Sequence, residues 1–272
     1  MSSSTSTPIV LTIAGSDSGG GAGIQADIKA ISATGGYAAS VITALTAQNT
    51  LGVSGIFAVT PEFVEQQLDA VFTDLNVVAV KIGMLADSAV IQAVASKLRQ
   101  YQPQFVVVDP VMVATSGDLL LEHSAIDTLK SELLPLADII TPNLPEGAAL
   151  LGVPVPSSES EMEQCIGGLR ALGCKSVLLK GGHLEQTTEA TDLLILAQEC
   201  RRLSSPRVST NNTHGTGCTL SAAIACYLAQ GSDLIEAVTQ AKRYISDAIA
   251  HADELSVGRG HGPVHHFYAL NR

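Results

Sequence analysis

Asn212-Thr213-His214-Gly215-Thr216-Gly217-Cys218 runs straight into a small-residue stretch, Thr219-Leu220-Ser221-Ala222-Ala223-Ile224-Ala225. Two glycines ahead of a helix let the backbone curl, so that several N–H groups converge on one point. The positive end of the helix macrodipole adds to them. Such a turn makes an anion hole suited to phosphate, with Cys218 at its rim; an ordinary glycine turn into a helix is the plainer reading. A thiol at a helix N-terminus is expected to have a lowered pKa, which makes Cys218 a candidate proton acceptor.

A second Gly-rich turn, Gly15-Ser16-Asp17-Ser18-Gly19-Gly20-Gly21-Ala22-Gly23, lies far upstream. It does not make a dinucleotide fingerprint. Read from Gly19 and Gly21, the third glycine is replaced by Ile24; read from Gly21 and Gly23, Ala26 fits only the looser form. The acid expected about twenty residues further on is missing in both readings. No GxxxxGK[ST] phosphate loop occurs either.

Other candidates stand where apolar runs end. Asp109 closes Phe105-Val106-Val107-Val108, and an acid there needs a cation or a donor. Asn143 and Glu146 follow Ile139-Ile140-Thr141 as Asn-x-x-Glu. Asp109 and Glu146 together could place Mg²⁺ beside a polyphosphate; Glu146 alone reads equally as a first-turn helix acid. Lys180, ahead of Gly181-Gly182-His183, is a phosphate contact or a snorkelling surface lysine. Gln48 can read a heterocycle edge or hold a loop. Asp27, four residues after Gly23, is a substrate group or a macrodipole partner.

The elements that must position these groups alternate between strand and helix. Strands are expected at 9–14, 40–47, 77–82, 105–109, 139–141, 176–179 and, in a hairpin, 193–196. Helices are expected at 23–33, 61–72, 88–98, 119–134, 145–151, 160–172, 218–228 and 234–250, the one at 61–72 opened by Thr60-Pro61. Alternation means parallel pairing with helices on both faces, and ligands beyond the carboxyl ends of the strands. The 272 residues are 46% hydrophobic and only 4% aromatic, so the core must be aliphatic, as in buried parallel sheets. We expect one domain from Ile9 to Arg272 after a disordered tail, 1–8.

The formal net charge of −11 argues against nucleic acid and anionic membranes as partners. Five cysteines without a CxxC pair, and no apolar leader, point to free thiols in the cytoplasm. His265-His266 has no further ligands clustered in sequence and reads as surface or packing.

Taken together, Gly15 to Asp27, Val41 to Thr50, Val80-Lys81-Ile82-Gly83-Met84-Leu85, Val108-Asp109-Pro110-Val111-Met112, Thr141-Pro142-Asn143-Leu144-Pro145-Glu146, Lys180-Gly181-Gly182-His183 and Asn212 to Cys218 resemble the hydroxymethylpyrimidine/phosphomethylpyrimidine kinases of thiamine biosynthesis. The similarity runs from about Ile9 to the end, including Gly260-His261-Gly262-Pro263-Val264. It implies a ribokinase-like α/β fold: a three-layer α/β/α sandwich around a mainly parallel sheet. It implies two ATP-dependent steps, the first on the hydroxymethyl group of 4-amino-5-hydroxymethyl-2-methylpyrimidine and the second on the resulting monophosphate. In the family the pyrimidine pocket includes the amide matching Gln48, with the acid matching Asp27 nearby and the residues matching Gly15 and Met84 lining it. The anion hole maps onto Gly215-Thr216-Gly217-Cys218. Many superfamily relatives carry Asp at the last position and use it as the base.

On this reading Asn143, Lys180 and Thr216 hold ATP, Asp109 and Glu146 hold Mg²⁺, and Asp27 and Gln48 align the ring. Cys218 either takes the alcohol proton, so that its removal harms the first phosphorylation more than the second, or only shapes the hole, in which case both steps lose equally. The resemblance also implies a homodimer. A pyridoxal kinase is the nearest alternative, disfavoured by Ala47-Gln48-Asn49. A binding protein of the same fold that has lost turnover is the other, disfavoured by intact Asp109, Glu146, Lys180 and Cys218.

Overall fold

The computed structural model describes residues 7–112, 125–182, 184 and 188–270. Its elements are β1 (Ile9–Asp17), α1 (Gly23–Ala33), β2 (Tyr37–Asn49), β3 (Gly52–Ala58), α2 (Pro61–Phe72), β4 (Val77–Ile82), α3 (Ser88–Tyr101) and β5 (Phe105–Val108). There follow α4 (Ala125–Thr128), β6 (Ile139–Ile140), α5 (Leu144–Leu151), α6 (Glu159–Gln164), α7 (Ile166–Arg170), β7 (Val177–Leu179), β8 (Glu189–Ile195), β9 (Cys200–Pro206), α8 (Thr216–Ala229) and α9 (Leu234–Ala250).

The strands form one nine-stranded sheet in the order β3-β2-β1-β4-β5-β6-β7-β8-β9. The six from β2 to β7 are parallel, and β3, β8 and β9 are added antiparallel at the two ends. Side chains alternate between two aliphatic cores, as the period of a strand requires. Leu11, Ile13, Val80, Ile82, Val106, Val108, Val177 and Leu179 face the layer of α2, α3, α5 and α7. Val10, Ala79, Val107, Ile139 and Leu178 face α1, α8 and α9. The result is a three-layer α/β/α sandwich. Among the described residues no helix is long and apolar enough to cross a membrane.

Helix starts follow local chemistry. The Thr60 hydroxyl accepts from the Phe63 amide ahead of Pro61. Asn143 and Glu146 close a capping box on α5: Asn143 Oδ1 accepts from the Glu146 amide and Glu146 Oε2 from the Asn143 amide, each at 2.8 Å.

Several expectations need correction. β3 and β9 were not expected as strands. Their side chains are mostly exposed, so neither carries a hydrophobic pattern, and their ladders with β2 and β8 hold them. The described part of the helix expected over 119–134 is broken, passing from α4 into a π turn (Leu129–Leu133) and a 3-10 turn (Leu134–Leu136) before Pro135 ends it. The helix expected over 160–172 divides at Cys165 into α6 and α7. Of the two readings of His265-His266, packing holds: both are buried, and His266 Nε2 meets the Thr219 hydroxyl at 2.9 Å. Residues 1–6 of the expected tail, 119–124 of the expected helix, and His183 lie outside the described residues.

A buried ion pair lies inside the sandwich. Lys81 has no exposed surface and points from β4 toward α1. Its ammonium donates to both carboxylate oxygens of Asp27 at 2.9 Å, and the Thr12 hydroxyl donates to Asp27 Oδ2 at 2.6 Å. Burial alone would push this ammonium down. The Asp27 carboxylate beside it, with Asp109 adding, outweighs that and holds Lys81 above the usual lysine range. The pair therefore pins α1 to the sheet as a closed ionic unit. Lys81→Met strands a buried carboxylate and should cost about 3–5 kcal/mol in chemical denaturation, whereas Lys81→Met with Asp27→Leu should recover most of the loss. A double variant as unstable as the single one would contradict this reading.

Candidate active site

Because β1, β4, β5, β6 and β7 run the same way, their carboxyl ends reach one edge of the sheet and open into a cleft of about 780 Å³. Gly15, Gln48, Met84, Asp109, Asn143, Glu146, Lys180 and the run Gly215-Thr216-Gly217-Cys218 all line it. Asp27 does not. Its carboxylate is closed off between Lys81 and Thr12, so the expected contact with a ring edge is replaced by the ion pair described above.

The turn before α8 has the tight glycine geometry that the sequence suggested. Gly215 caps α8 at φ +80°, a left-handed conformation, and a Cβ there would run into the Gly21 carbonyl of the first Gly-rich turn. The amides of Gly217 and Cys218 open α8 and find no partner among the described residues. A Cβ on Gly217 would lie 3.2 Å from both Asp109 Oδ2 and Lys180 Nζ. Glycine thus brings the helix start against an acid and a cation at once.

Lys180 donates to Asp109 Oδ1 at 2.9 Å, and the Thr141 hydroxyl donates to the same oxygen at 3.0 Å. Glu146 is buried, and burial pushes its carboxyl up to about 7; Lys180 opposes the shift and Asp109 adds to it. The cap and the acidic site are therefore the same residue: Glu146 closes the capping box and faces the cleft.

The loops are joined by a residue that sequence reasoning quoted without assigning a role. Asp17 Oδ1 accepts from the Gly19 amide at 2.8 Å, and Oδ2 accepts from Gly21 and Ala22 at 3.0 and 2.8 Å. His214 Nε2 stands 2.9 Å from Oδ2. Burial works to raise the Asp17 carboxyl, but the His214 contact and the amides outweigh it and set it below its ordinary value. An acid two residues before Gly19 was the available signal. The far wall was missed as well. Asp192 accepts from the Gly181 amide at 2.9 Å and from Lys242 Nζ at 2.7 Å, and it lines the cleft with Arg207, Val208, Ile245 and Ile249. Arg207 and Val208 belong to none of the sequence motifs; the end of β9 carries them into the wall.

The expected lowering of the Cys218 pKa is also corrected. Burial pushes the thiol up to about 11, with Asp27 and Asp109 adding and Lys81 opposing, and this outweighs the helix N-terminus. The resting thiol therefore holds its proton near neutrality. Alkylation of Cys218 by iodoacetamide, located by peptide mass, should climb about tenfold per pH unit from 7 to 10, because only the thiolate reacts. A rate that levels off below pH 8 would contradict it.

The phosphomethylpyrimidine kinase family model matches residues 17–265. The hydroxymethylpyrimidine/phosphomethylpyrimidine kinase of Escherichia coli K12 is 52% identical over 259 residues, covering 95% of this chain and 97% of that protein. The thiamine biosynthesis bifunctional protein ThiED of Geobacter sulfurreducens is 54% identical over 260 residues, covering 96% of this chain and 52% of that protein. Among solved structures, the Bacillus subtilis pyridoxal kinase in its ADP complex superposes with a TM-score of 0.90 at 33% identity, covering 98% of this chain and 100% of that one. On the matched span and these identities, the chain belongs to the phosphomethylpyrimidine kinase family.

Proposed function

We propose that this chain, as a single domain, uses ATP to phosphorylate 4-amino-5-hydroxymethyl-2-methylpyrimidine and then its monophosphate, in thiamine biosynthesis. The observation that carries this is the meeting of Gly217 with Asp109 and Lys180 at the start of α8, inside the cleft that Gln48 and Met84 also line. The names of the relatives support the substrate, and the ADP complex of the pyridoxal kinase supports a nucleotide site.

In each step an oxygen of the pyrimidine substituent bonds to the γ-phosphorus as the bond to the β-phosphate oxygen breaks and ADP leaves. In the first step the alcohol O–H bond breaks late, and its proton passes to water or to an oxygen of the transferred phosphate. Gly15, Gln48 and Met84 hold the ring. Asn143, Lys180 and Thr216 hold the nucleotide phosphates, and the apolar wall of Ile245 and Ile249 takes its base. The open amides of Gly217 and Cys218, with Lys180, receive the charge that spreads onto the transferring oxygens.

Asp109 and Glu146 fit Mg²⁺. Both are buried acids; burial and the nearby Asp109 oppose the ionisation of Glu146, and a cation would relieve that. Among the described residues no third acid, His or Cys joins them, so substrate oxygens and water would complete the shell, as this ion prefers. Held by Asp109 and Glu146, Mg²⁺ would supply positive charge against the developing charge of the phosphates.

A neutral Cys218 thiol shapes the hole and takes little proton from the alcohol. A loose phosphoryl-transfer transition state places little demand on a base. The reading includes cytoplasmic residence. It also includes a homodimer through the β2–β3 edge, where the cross-strand partners Leu45 and Phe57 are exposed beside Ile56.

The test is Mg·ATP turnover with the hydroxymethylpyrimidine and with pyridoxal in parallel, products read by mass, and assembly of the same preparation read by sedimentation velocity. The expected result is mono- and then diphosphorylated pyrimidine from a species of two chains. Phosphorylated pyridoxal alone, or no product, would overturn the activity; a single-chain mass would overturn the dimer. Cys218→Ala should slow both phosphorylations by similar factors. Selective collapse of the first would restore Cys218 as the base.

A further inference from the structure

The hydrogens around Gln48 can be counted one by one. Asp17 Oδ2 already accepts two amides and is ionised, so it can only accept from His214. The hydrogen between them therefore sits on His214 Nε2. Gln48 Nε2 lies 3.5 Å from that same ring nitrogen. Two donors face each other there, and no bond forms.

A second conflict lies on the other side of the amide. Thr46 Oγ1 is 2.9 Å from the Ser16 carbonyl and 3.0 Å from Gln48 Oε1. The hydroxyl has one hydrogen, and the carbonyl can only accept. Once that hydrogen goes to Ser16, Thr46 Oγ1 must accept from Gln48, and an amide oxygen cannot donate. A half-turn of the amide removes both conflicts. Its nitrogen then donates to Thr46, and its oxygen faces the His214 N–H.

We infer that Asp17, His214 and Thr46 are positioning residues that fix the sense of the Gln48 amide, oxygen toward His214 and nitrogen toward Thr46. A ring edge carrying one donor and one acceptor then fits Gln48 in only one direction. The donor of the ring, an exocyclic amine, lies on the His214 side, and the ring nitrogen lies on the Thr46 side. This turns a residue that could read either sense into one that orients the 5-substituent. The inference rests on the reading of Gln48 as the pyrimidine contact.

The test compares Gln48→Ala, Thr46→Val and Thr46→Ser in steady-state kinetics with the hydroxymethylpyrimidine. It is paired with long-range ¹H–¹⁵N spectra of His214 in the unsubstituted protein. Thr46→Val should raise KM about tenfold, with a smaller change in kcat, and Thr46→Ser should restore it. The spectra should show His214 protonated at Nε2. If Gln48→Ala raises KM and Thr46→Val does not, the positioning role is overturned while the pyrimidine contact stands. If Gln48→Ala leaves KM unchanged, the contact itself falls. A His214 hydrogen found on Nδ1 alone overturns the positioning role whatever the kinetics give, including where Thr46→Val proves unstable.

Discussion

The carboxylate of Asp17 joins two loops that lie 197 residues apart at the contact it makes with His214. Without it, three amides of the first Gly-rich turn would be left without their acceptor, and His214 would lose its anchor. Buried amides and rings are costly to leave unpaired, so this one acid holds the backbone of both turns. Gly215 then sits flush on Gly21, and the anion loop takes its position from the first turn. The Gln48 side of the cleft and the start of α8 are thereby held in fixed relation, as the proposed function requires of its ring and phosphate pockets. A two-substrate transfer needs that relation more than it needs any single strong group.

The sheet supplies the rest. Parallel strands deliver Asp17, Met84, Asp109, Asn143 and Lys180 to one edge. The short strands β6 and β7 are extended by a bridge between Asn143 and Lys180, and the Lys180 amide donates to the Pro142 carbonyl at 2.9 Å. The lysine is thus held by backbone pairing at its root and by Asp109 at its tip. Its charge is fixed at the cleft, and on the proposed function this is the kind of preorganisation that electrostatic catalysis draws on.

Much of this was legible in the chain. Val106, Val107 and Val108 could only be a buried strand, and Asp109 after them needed a cation, which Lys180 provides. The glycines of the anion loop announced a tight approach. What stayed hidden was what alternation does not record. β3 and β9 owe their form to neighbouring ladders, and Arg207 reaches the cleft only because β9 carries it there. Lys81 offered a signal that was passed over, since a lysine inside the apolar run Val77 to Ile82 must be paired if that strand is buried. Its partner is Asp27, which that pairing takes from the ligand. The Cys218 thiol was misjudged because the helix N-terminus is legible in sequence and the burial opposing it is not.

The central claim is that the reaction centre lies where Gly217 meets Asp109 and Lys180. Kinetics of Gly217→Ala test it most directly. The φ of Gly217 lies outside the left-handed region, so alanine is tolerated by the backbone, and the added methyl acts only by occupying the space between helix, acid and cation. The account expects kcat for both phosphorylations to fall on the order of a hundredfold, with the melting temperature held or raised. Unchanged kcat with the methyl in place would contradict it.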